Sequence, residues 1–418
     1  MSELFLAPGL RTPFVKAGGL YAPHSALDLS RPLAAAMAAQ ARPDFVVWSQ
    51  VIPDPLVSNI ARELVFEAGL DPEIPAFSTI LACGSSMAGA IQAGAMISRG
   101  GGDHLALVGG VETMSHAPIA LRQGKADELA ALLAKDPAAA LATLKGLNAG
   151  DFSIPAKGWV NKQTGRSQGE HTEDTARHYG ISREDQDQRA LASHRGAIAG
   201  QDAGFFDSLV MPFGGVERDT FPRRDTSMEK LAALRLAYDA TSGRGTLTAG
   251  NSSPLTDGAA SLWVGDADGL ARLGLEPTVR LVDWRFAATA IGEEGILMAP
   301  ARAIPRLLSG YGLTFGDVAL WEVHEAFAAQ VLANLRAAAD LAYRRKYANV
   351  DADLGDFPWE RVNPNGGSLA LGHPFAATGA RILSQAAKEL AAFPSGAYGI
   401  VSVCADGGEG IVALLQRV

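Results

Sequence analysis

The distribution of apolar and polar residues divides the chain into three regions. An Ala- and Gly-rich region extends to about residue 120, a more polar region continues to about residue 248, and a second Ala- and Gly-rich region completes the chain. Small apolar residues interspersed with glycine are typical of closely packed helices and sheets. We therefore expect the two outer regions to form the core and the middle region to be an insertion that covers a site.

The polar middle region is predicted to contain two helices and a loop. Leu121 to Leu147 has a helical pattern, and Asn148 to Gly169 is loop-like. A second helix is expected from about Glu173 to Gly200, with charged residues on one side.

The first outer region contains a segment with a β-α-β rhythm. The strand-like Phe77 to Ala82 leads into Cys83, a helix of small residues to about Ser98, and the strand-like Leu105 to Val108. Cys83 is therefore expected just before the N-terminus of a helix.

A similar segment in the second outer region indicates an internal duplication. Ser368 to Leu371 leads into His373, a helix to about Ala392, and the strand-like Tyr398 to Val403, which ends in Cys404. The comparison sets His373 at the place of Cys83, before a helix N-terminus with partial positive charge. Two such halves packed back to back would bring both residues to one cleft.

Composition and charge narrow the class of protein. The 418 residues exceed one ordinary hydrophobic core, 48% are apolar and 19% are charged, as in a globular enzyme. The net charge of -9 argues against broad nucleic-acid binding, which needs a basic face. Because no leader pattern and no apolar stretch of about 18 residues occur, we expect a cytoplasmic protein with no transmembrane segment.

The two cysteines, Cys83 and Cys404, have either a chemical or a merely steric role and form no disulfide framework or CxxC metal site, since they lie far apart and neither belongs to a CxxC pair. Unpaired N–H groups at the following helix would favour a thiolate at Cys83, which makes it a candidate nucleophile rather than only a small buried residue. Cys404 precedes Asp406-Gly407-Gly408, and a hairpin turn is a competing interpretation of that segment.

Two histidines stand in contexts that favour function. His373 lies in a Gly-rich turn, where it can serve as a general base. His324 follows the strand-like Val318 to Val323 and precedes a helix starting near Ala326, at the carboxyl end of a strand where α/β sheets collect their sites. A structural role suits His324 equally well, and Glu325 is expected either to orient it or to cap the helix.

Seven segments along the chain resemble those of the thiolase family, in the same order from about residue 11 to 415. They are Arg11-Thr12-Pro13, Cys83-Gly84-Ser85, Gly109 to Ser115, Thr248 to Ser253 with Asp257 to Ala260, His324-Glu325-Ala326-Phe327, Gly372-His373-Pro374, and Cys404 with its glycines. Each segment is weak evidence by itself, whereas the ordered set is very specific.

The resemblance implies an α/β fold of two duplicated βαβαβαββ halves in a five-layer α-β-α-β-α arrangement with an inserted loop domain. The implied boundaries are 1–120 plus 249–275 for the N-terminal half, 121–248 for the inserted loop domain, and 276–418 for the C-terminal half.

The resemblance also implies a reaction. Thiolases cleave 3-ketoacyl-CoA with CoA to acetyl-CoA and a shortened acyl-CoA, or run the reverse Claisen condensation. The residue matching His373 deprotonates the one matching Cys83, which becomes acylated, and the residue matching Cys404 is a second acid/base. One anionic intermediate is expected near His324 and His373, and the other at backbone N–H groups of Cys83 and the Asp406 region.

Coenzyme A is the implied co-substrate, and no permanently bound cofactor or metal is expected. By resemblance Ser253 contacts the pantetheine, Arg223 or Arg224 binds the phosphates, and Phe327 packs nearby. A solvated surface is an equally good interpretation of the two arginines. Histidine at position 324, where most thiolases have asparagine, resembles the branch found in trifunctional fatty-acid oxidation complexes, which implies a role in β-oxidation.

Three positions depart from the family pattern. Gln168 precedes Gly169 where methionine is common, Ala299 precedes Pro300 where glycine is common, and Asp406 replaces a small residue. The backbone N–H of Asp406 is expected to face a developing enolate, which a nearby carboxylate would oppose. We therefore expect its side chain to point outward, into solvent or onto a basic group, and an inward carboxylate to raise the pKa of the Cys404 thiol.

Two other functions fit parts of the pattern. A decarboxylating ketoacyl synthase shares the fold and can set one cysteine against two histidines, but it needs no second acid/base cysteine, so Cys404 argues against it. A catalytically silent thiolase-like protein that binds acyl-CoA or lipid is opposed by the intact Cys83, His373 and Cys404. The resemblance further implies a homodimer or tetramer, and association with a separate hydratase/dehydrogenase subunit in this branch.

Overall fold

A computed structural model describes residues 2–153 and 160–418. The strands are β1 Phe5–Arg11, β2 Val15–Lys16, β3 Phe45–Ser49, β4 Ala76–Phe77, β5 Leu105–Thr113, β6 Ala120–Leu121, β7 Phe152–Ser153, β8 Thr256–Gly265, β9 Val279–Ala288, β10 Val318–Val323, β11 Tyr398–Ala405 and β12 Glu409–Arg417. The α-helices are α1 Ala26–Ala38, α2 Ile60–Glu67, α3 Ser85–Ser98, α4 Gln123–Lys135, α5 Pro137–Lys145, α6 Gln168–His178, α7 Arg183–Asp202, α8 Met228–Ala232, α9 Ala267–Arg272, α10 Ile291–Glu294, α11 Ala299–Gly310, α12 Ala328–Ala339, α13 Leu341–Tyr343, α14 Ser368–Leu371 and α15 Thr378–Leu390.

One mixed sheet of 10 strands passes through the molecule in the order β10-β11-β12-β9-β1-β8-β5-β3-β4, with β2 paired to β8. The two halves repeat the same pairing: β3 is parallel to β5 as β10 is to β11, and β8 is antiparallel to β5 and β1 as β12 is to β11 and β9. The halves meet where β1 pairs with β9. This repeated order confirms the predicted duplication.

The three largest hydrophobic clusters of the described residues lie between the layers of the fold. The central core surrounds α3 and α15, which lie between the strands of the two halves. The outer cores lie under α1 and α2 on one side and under α11 and α12 on the other. The predicted α-β-α-β-α arrangement is therefore present, with the two central helices buried from both sides.

The central helices cross at small residues. A Cβ atom added to Gly379 would lie 2.3 Å from the backbone nitrogen of Met87, and the N–H of Ala380 donates to Ser86 Oγ at 2.7 Å. Because only glycine allows this approach, the first turns of α3 and α15 lie against each other. The residues that precede the two helices are thereby brought to one cleft.

The predicted strand before each central helix is largely wrong. The first ends at Phe77, and Ala82 just before Cys83 has a φ of +41°, which extended backbone does not allow. In the second half, residues 368–371 form a single helical turn, α14. In the first half, β4 pairs in parallel with β3. At the corresponding edge of the second half, within the described residues, a single parallel bridge joins Trp321 of β10 to Val362.

The inserted region also differs from its predicted elements. The helix expected over 121–147 is two helices, because Asp136 caps a second helix that begins at Pro137. The helix expected over 173–200 is likewise two, α6 and α7, separated at Gly180 with a φ of +59°. Residues 154–159 of the predicted loop lie outside the described residues. Helix α7 packs on α12 and α14, so the insertion covers the C-terminal half.

None of the helices in the described ranges combines the length and apolar character needed to cross a bilayer.

Candidate active site

Four residues predicted to be catalytic approach one another from four elements. Cys83 precedes α3, His373 precedes α15, His324 follows β10, and Cys404 lies near the end of β11; all four are buried. His373 Nε2 lies 3.2 Å from Cys83 Sγ, and the rings of His324 and His373 have centroids 4.1 Å apart. One nitrogen of each ring and Cys83 Sγ lie within 4.8 Å of one another, a set that could also ligate a transition metal.

Thr378 determines which nitrogen of His373 carries the proton. Its hydroxyl donates to the carbonyl oxygen of Pro374 at 3.1 Å, and its oxygen lies 2.6 Å from His373 Nδ1. Since a hydroxyl has one hydrogen, Thr378 accepts a hydrogen bond from Nδ1–H, and we assign the Nδ1–H tautomer. Nε2 then presents a lone pair to the Cys83 thiol, as a general base requires.

Burial keeps both members of the Cys83–His373 pair neutral. Desolvation, with the positive charge of Arg381, lowers the pKa of His373 to about 3. Desolvation, with the negative charge of Asp406, raises the pKa of Cys83 to about 12, although the backbone N–H of Asp406 donates to its sulfur. The backbone N–H groups of Cys83 and Asp406 lower the pKa of the thiol, as expected, but desolvation outweighs them in the free protein.

His324 is held by Ser368. Its Nδ1 lies 2.9 Å from Ser368 Oγ, while its Nε2 is buried and has no hydrogen-bond partner among the described residues. Burial, and then repulsion from His373 when it is protonated and from the positive charge of Arg381, lowers the pKa of His324 well below its usual value. His324 is thus a neutral ring beside His373, and its Nε2 is available for a hydrogen bond to a ligand that enters the cleft.

Glu325 performs neither of its two expected roles. Its carboxylate forms an ion pair with Arg189 at 2.9 Å and accepts hydrogen bonds from Ser193 Oγ at 2.7 Å and from Asn363 Nδ2 at 2.7 Å. It also accepts from the N–H of Leu369 at 3.2 Å, in the first turn of α14. Glu325 therefore bonds neither to the His324 ring nor to the first turn of α12 among the described contacts; it fixes α14, which carries Ser368, the partner of His324.

Cys404 lies in a hairpin, opposite Gly410 in the pairing of β11 with β12. The turn contains Gly407 and Gly408 at φ values of +91° and +82°. Burial raises the pKa of Cys404 well above its usual value, and a negative charge on Cys83 raises it further. A hairpin and a chemical role of Cys404 are therefore compatible, because the hairpin turn lies beside the cleft that contains both thiols.

The Asp406 side chain reaches toward the inserted region. The carboxylate is half-buried, its Oδ1 accepts a hydrogen bond of 3.4 Å from Asn161 Nδ2 in the inserted region, and its charge also acts on His171. Its negative charge adds to burial in raising the pKa of the Cys83 thiol, where the sequence predicted an effect on Cys404. Asp406 thus opposes ionisation of Cys83 while its N–H favours it.

The two arginines predicted to bind phosphates have different surroundings. Arg224 is exposed and forms an ion pair with Asp202. Arg223 lines a cavity of about 200 Å³ together with Lys230 and Leu369. Because Leu369 adjoins the residue that holds His324, this cavity lies beside the cleft.

The other two residues predicted to contact CoA lie close to each other. The N–H of Ser253 donates to the carbonyl oxygen of Ala326 at 2.9 Å, next to Phe327 in the chain. The Phe327 ring is buried and packs edge-on against Tyr238 at 5.8 Å. The structure thus brings Ser253 and Phe327 together, with Arg223 on a neighbouring cavity.

Two of the family departures are accommodated without distortion. Ala299 is fully buried in the first turn of α11, beside Gly410 of β12. Gln168 begins α6, and Gly169 after it lies so close to the ring of Tyr238 that a Cβ atom would be 2.1 Å from it.

The residues that hold the catalytic side chains were not predicted from the sequence. Ser368 and Thr378 lie within five residues of His373 in the chain, but their spacing does not indicate which histidine ring each of them contacts. Arg381 in α15 and Asn161 in the insertion are also missed, since their partners are remote in the chain.

Known families and individual proteins are similar to this chain. The family described as "Thiolase, N-terminal domain" matches residues 5–268, and "Thiolase, C-terminal domain" matches 275–417. The chain is 35% identical to a 3-ketoacyl-CoA thiolase of Erwinia tasmaniensis, covering 99% of this chain and 96% of that protein. It is 34% identical to a 3-ketoacyl-CoA thiolase of Yersinia enterocolitica, covering 99% and 97%.

Two solved structures are similar over their full length. The acetyl-CoA acetyltransferase of Bacillus anthracis has a TM-score of 0.83 and 28% identity, covering 100% of this chain and 99% of that one. The Acat5 thiolase of Ascaris suum, solved in complex with coenzyme A, has a TM-score of 0.80 and 25% identity, covering 100% of both chains.

Proposed function

The chain belongs to the thiolase family, and from that premise we propose that it is an acyl-CoA C-acyltransferase. It cleaves 3-ketoacyl-CoA with CoA to acetyl-CoA and an acyl-CoA shortened by two carbons, or runs the reverse condensation. The observation that carries this proposal is the 3.2 Å contact between Cys83 Sγ and His373 Nε2. A thiol that faces an imidazole lone pair is the arrangement that covalent acyl transfer needs.

In the first half-reaction, His373 Nε2 takes the proton of the Cys83 thiol and the sulfur attacks the 3-keto carbon. The bond between carbons 2 and 3 breaks, which leaves an acyl-Cys83 thioester and the enolate of acetyl-CoA. Cys404 gives its proton to carbon 2 of that enolate. The free protein holds both thiols neutral, so transfer of the Cys83 proton to His373 is coupled to substrate binding, when the developing charge gains hydrogen-bond donors.

In the second half-reaction, the Cys404 thiolate takes the proton of incoming CoA. The CoA thiolate attacks the thioester carbon, the new acyl-CoA leaves, and Cys83 recovers its proton from His373. Of the predicted oxyanion groups, the Asp406 N–H already donates to the Cys83 sulfur.

The substrate contacts form the finer part of the proposal. Arg223, Ser253 and Phe327 are proposed to bind coenzyme A as co-substrate, supported by the cavity beside the cleft and by the coenzyme A complex of the Ascaris suum relative. A role in fatty-acid β-oxidation, a homodimer, a separate hydratase/dehydrogenase subunit and a cytoplasmic location stay predictions.

The test is thiolysis of 3-ketoacyl-CoAs of increasing chain length, with acetyl-CoA release as the readout and Cys83→Ala as the inactive control. Peptide mapping after incubation with 3-ketoacyl-CoA should locate the thioester on Cys83. A thioester on Cys404 with Cys83 unmodified would overturn the assigned roles. Decarboxylation of a malonyl thioester without any thiolysis would favour the ketoacyl synthase instead.

A further inference from the structure

A buried chain of hydrogen bonds connects Arg381 to His324 through Ser368. Arg381 Nη2 donates to Ser368 Oγ at 3.0 Å, and the same oxygen lies 2.9 Å from His324 Nδ1. The three residues are 2%, 0% and 0% exposed. The acyl-transfer steps described above make no use of Ser368 or Arg381.

The number of hydrogens gives this chain a direction. A guanidinium group can only donate, so Ser368 Oγ uses one lone pair to accept from Arg381. If His324 Nδ1 also donated, the serine hydrogen would be buried with no acceptor among the described contacts, which is costly. Ser368 therefore donates its hydrogen to Nδ1. We propose that Arg381, acting through Ser368, holds His324 as the Nε2–H tautomer and so makes it a hydrogen-bond donor in the cleft.

The same reasoning gave His373 the opposite tautomer. The Thr378 hydroxyl donates to a backbone carbonyl oxygen and accepts a hydrogen bond from His373 Nδ1–H. The Ser368 hydroxyl, in contrast, accepts a hydrogen bond from Arg381 and donates one to His324 Nδ1. Two neutral rings 4.1 Å apart thus have different roles. His373 presents a lone pair to the thiol and His324 presents an N–H. This inference rests on the proposed function only for what the donor binds, namely a thioester or 3-keto oxygen as it gains charge.

Buried acidic groups keep Arg381 in place. Its guanidinium lies 3.9 Å from the carboxylate of Glu322, and its Nη1 donates to Gln385 Oε1 at 3.4 Å. Glu322 and Glu389 are buried nearby, and both interact electrostatically with Arg381. Because one cation faces two carboxyl groups, the guanidinium is fixed without contacting substrate. Arg381 and Ser368 are positioning residues.

The test measures the tautomer directly. The protein labelled with ¹⁵N-histidine is examined by long-range ¹H–¹⁵N NMR at pH 7.5, with His324→Asn to assign the resonances. We expect His324 to show a protonated Nε2 and an unprotonated Nδ1, and His373 to show the reverse. In Ser368→Ala, Nδ1 of His324 loses its donor and the His324 signals should shift toward a mixture of tautomers. Arg381→Lys, which keeps the charge, should shift them in the same direction.

Kinetics and a matched variant complete the test. Ser368→Ala should lower kcat by about ten-fold to a hundred-fold while KM changes less than about two-fold, since only the donor to the developing charge is disturbed. Ser384→Ala is the control, because this buried serine of α15 bonds to the backbone of Gly9, away from the cleft. A wild-type His324 protonated on Nδ1, or a Ser368→Ala protein with wild-type tautomer and kcat, would overturn the inference. Absence of thiolysis in the wild type with the expected tautomer would instead count against the proposed function.

Discussion

His373 Nε2 lies 3.2 Å from Cys83 Sγ although the two residues are 290 positions apart in the chain. The contact exists because both residues precede helices whose first turns cross at Gly379. The hydrogen bond is between two neutral groups, since burial lowers the pKa of the imidazole and raises that of the thiol. The reactivity of Cys83 is therefore set by the packing of the halves as much as by its own neighbours.

The crossing itself can be tested with Gly379→Ala. The added methyl group would meet the backbone nitrogen of Met87 at 2.3 Å, so the two helices must move apart. We expect the free energy of unfolding in urea to fall by about 1–3 kcal/mol, with slower acylation of Cys83. Gly310→Ala is the control, because this residue at the end of α11 has open space around its Cα. Equal stability of the two variants would contradict the proposed dependence on the crossing.

The neutral pair predicts how alkylation of Cys83 depends on pH. The thiolate is the reactive form, and burial with the charge of Asp406 raises the pKa of the thiol to about 12. The rate of iodoacetamide reaction, measured in Cys404→Ala so that one thiol is present, should therefore still be rising at about pH 10. At the acid end, the pKa of His373 is lowered to about 3 by burial, so it should remain a base at about pH 5. A plateau of alkylation between about pH 6 and 9 would show a thiolate–imidazolium pair instead.

Removing the charge of Asp406 should make Cys83 more acidic. In Asp406→Asn the backbone N–H that donates to the Cys83 sulfur is kept, while the carboxylate that helps to raise its pKa is lost. We expect alkylation of Cys83 at fixed pH to accelerate by up to about ten-fold, equivalent to one pKa unit. Glu409→Gln removes an exposed carboxylate from the same hairpin and should have no comparable effect. Identical rates in the two variants would mean that the Asp406 charge does not reach the thiol.

Cys404→Ala should separate acylation from turnover. Cys83 and His373 remain intact, so the protein should still accept an acyl group in part, but the enolate would lack its proton donor. We expect steady-state thiolysis to fall by a factor on the order of 10² or more, with the thioester still detectable by mass spectrometry. In His373→Ala, by comparison, the acylation step itself should be lost. Turnover of Cys404→Ala at the wild-type rate would remove the main argument against a decarboxylating synthase.

The two neighbouring arginines should differ in their effect on CoA. Arg223 lines the cavity beside the cleft, whereas Arg224 pairs with Asp202 on the surface. Arg223→Ala should raise the KM for CoA by about five- to ten-fold with little change in kcat, because a phosphate contact is lost equally from ground and transition states. Arg224→Ala, a matched control of the same size and charge, should change KM less than about two-fold. A larger effect of Arg224→Ala would exchange the two assignments.

The amino-acid sequence by itself determined the repeated pattern, the fold class and the residues to consider for chemistry. Gly-rich motifs can be recognised locally, since glycine permits backbone angles in a turn that other residues rarely adopt, and the order of the motifs along the chain can be read without knowing any contact. Strand β10 with His324 after it was predicted at its observed bounds, because an apolar run bounded by polar residues is a local signal. The placement of Cys83 and His373 at matching positions followed from the same kind of signal.

Tertiary structure decided what those residues are able to do. The tautomers of His373 and His324 depend on Thr378 and on the Ser368–Arg381 pair, and the direction of the Asp406 carboxylate depends on Asn161. The neutral state of Cys83 likewise follows from desolvation between the two halves, which overrides the local helix end. Hydrogen-bond direction and desolvation depend on all atoms around a group, and folding draws those atoms from distant parts of the chain.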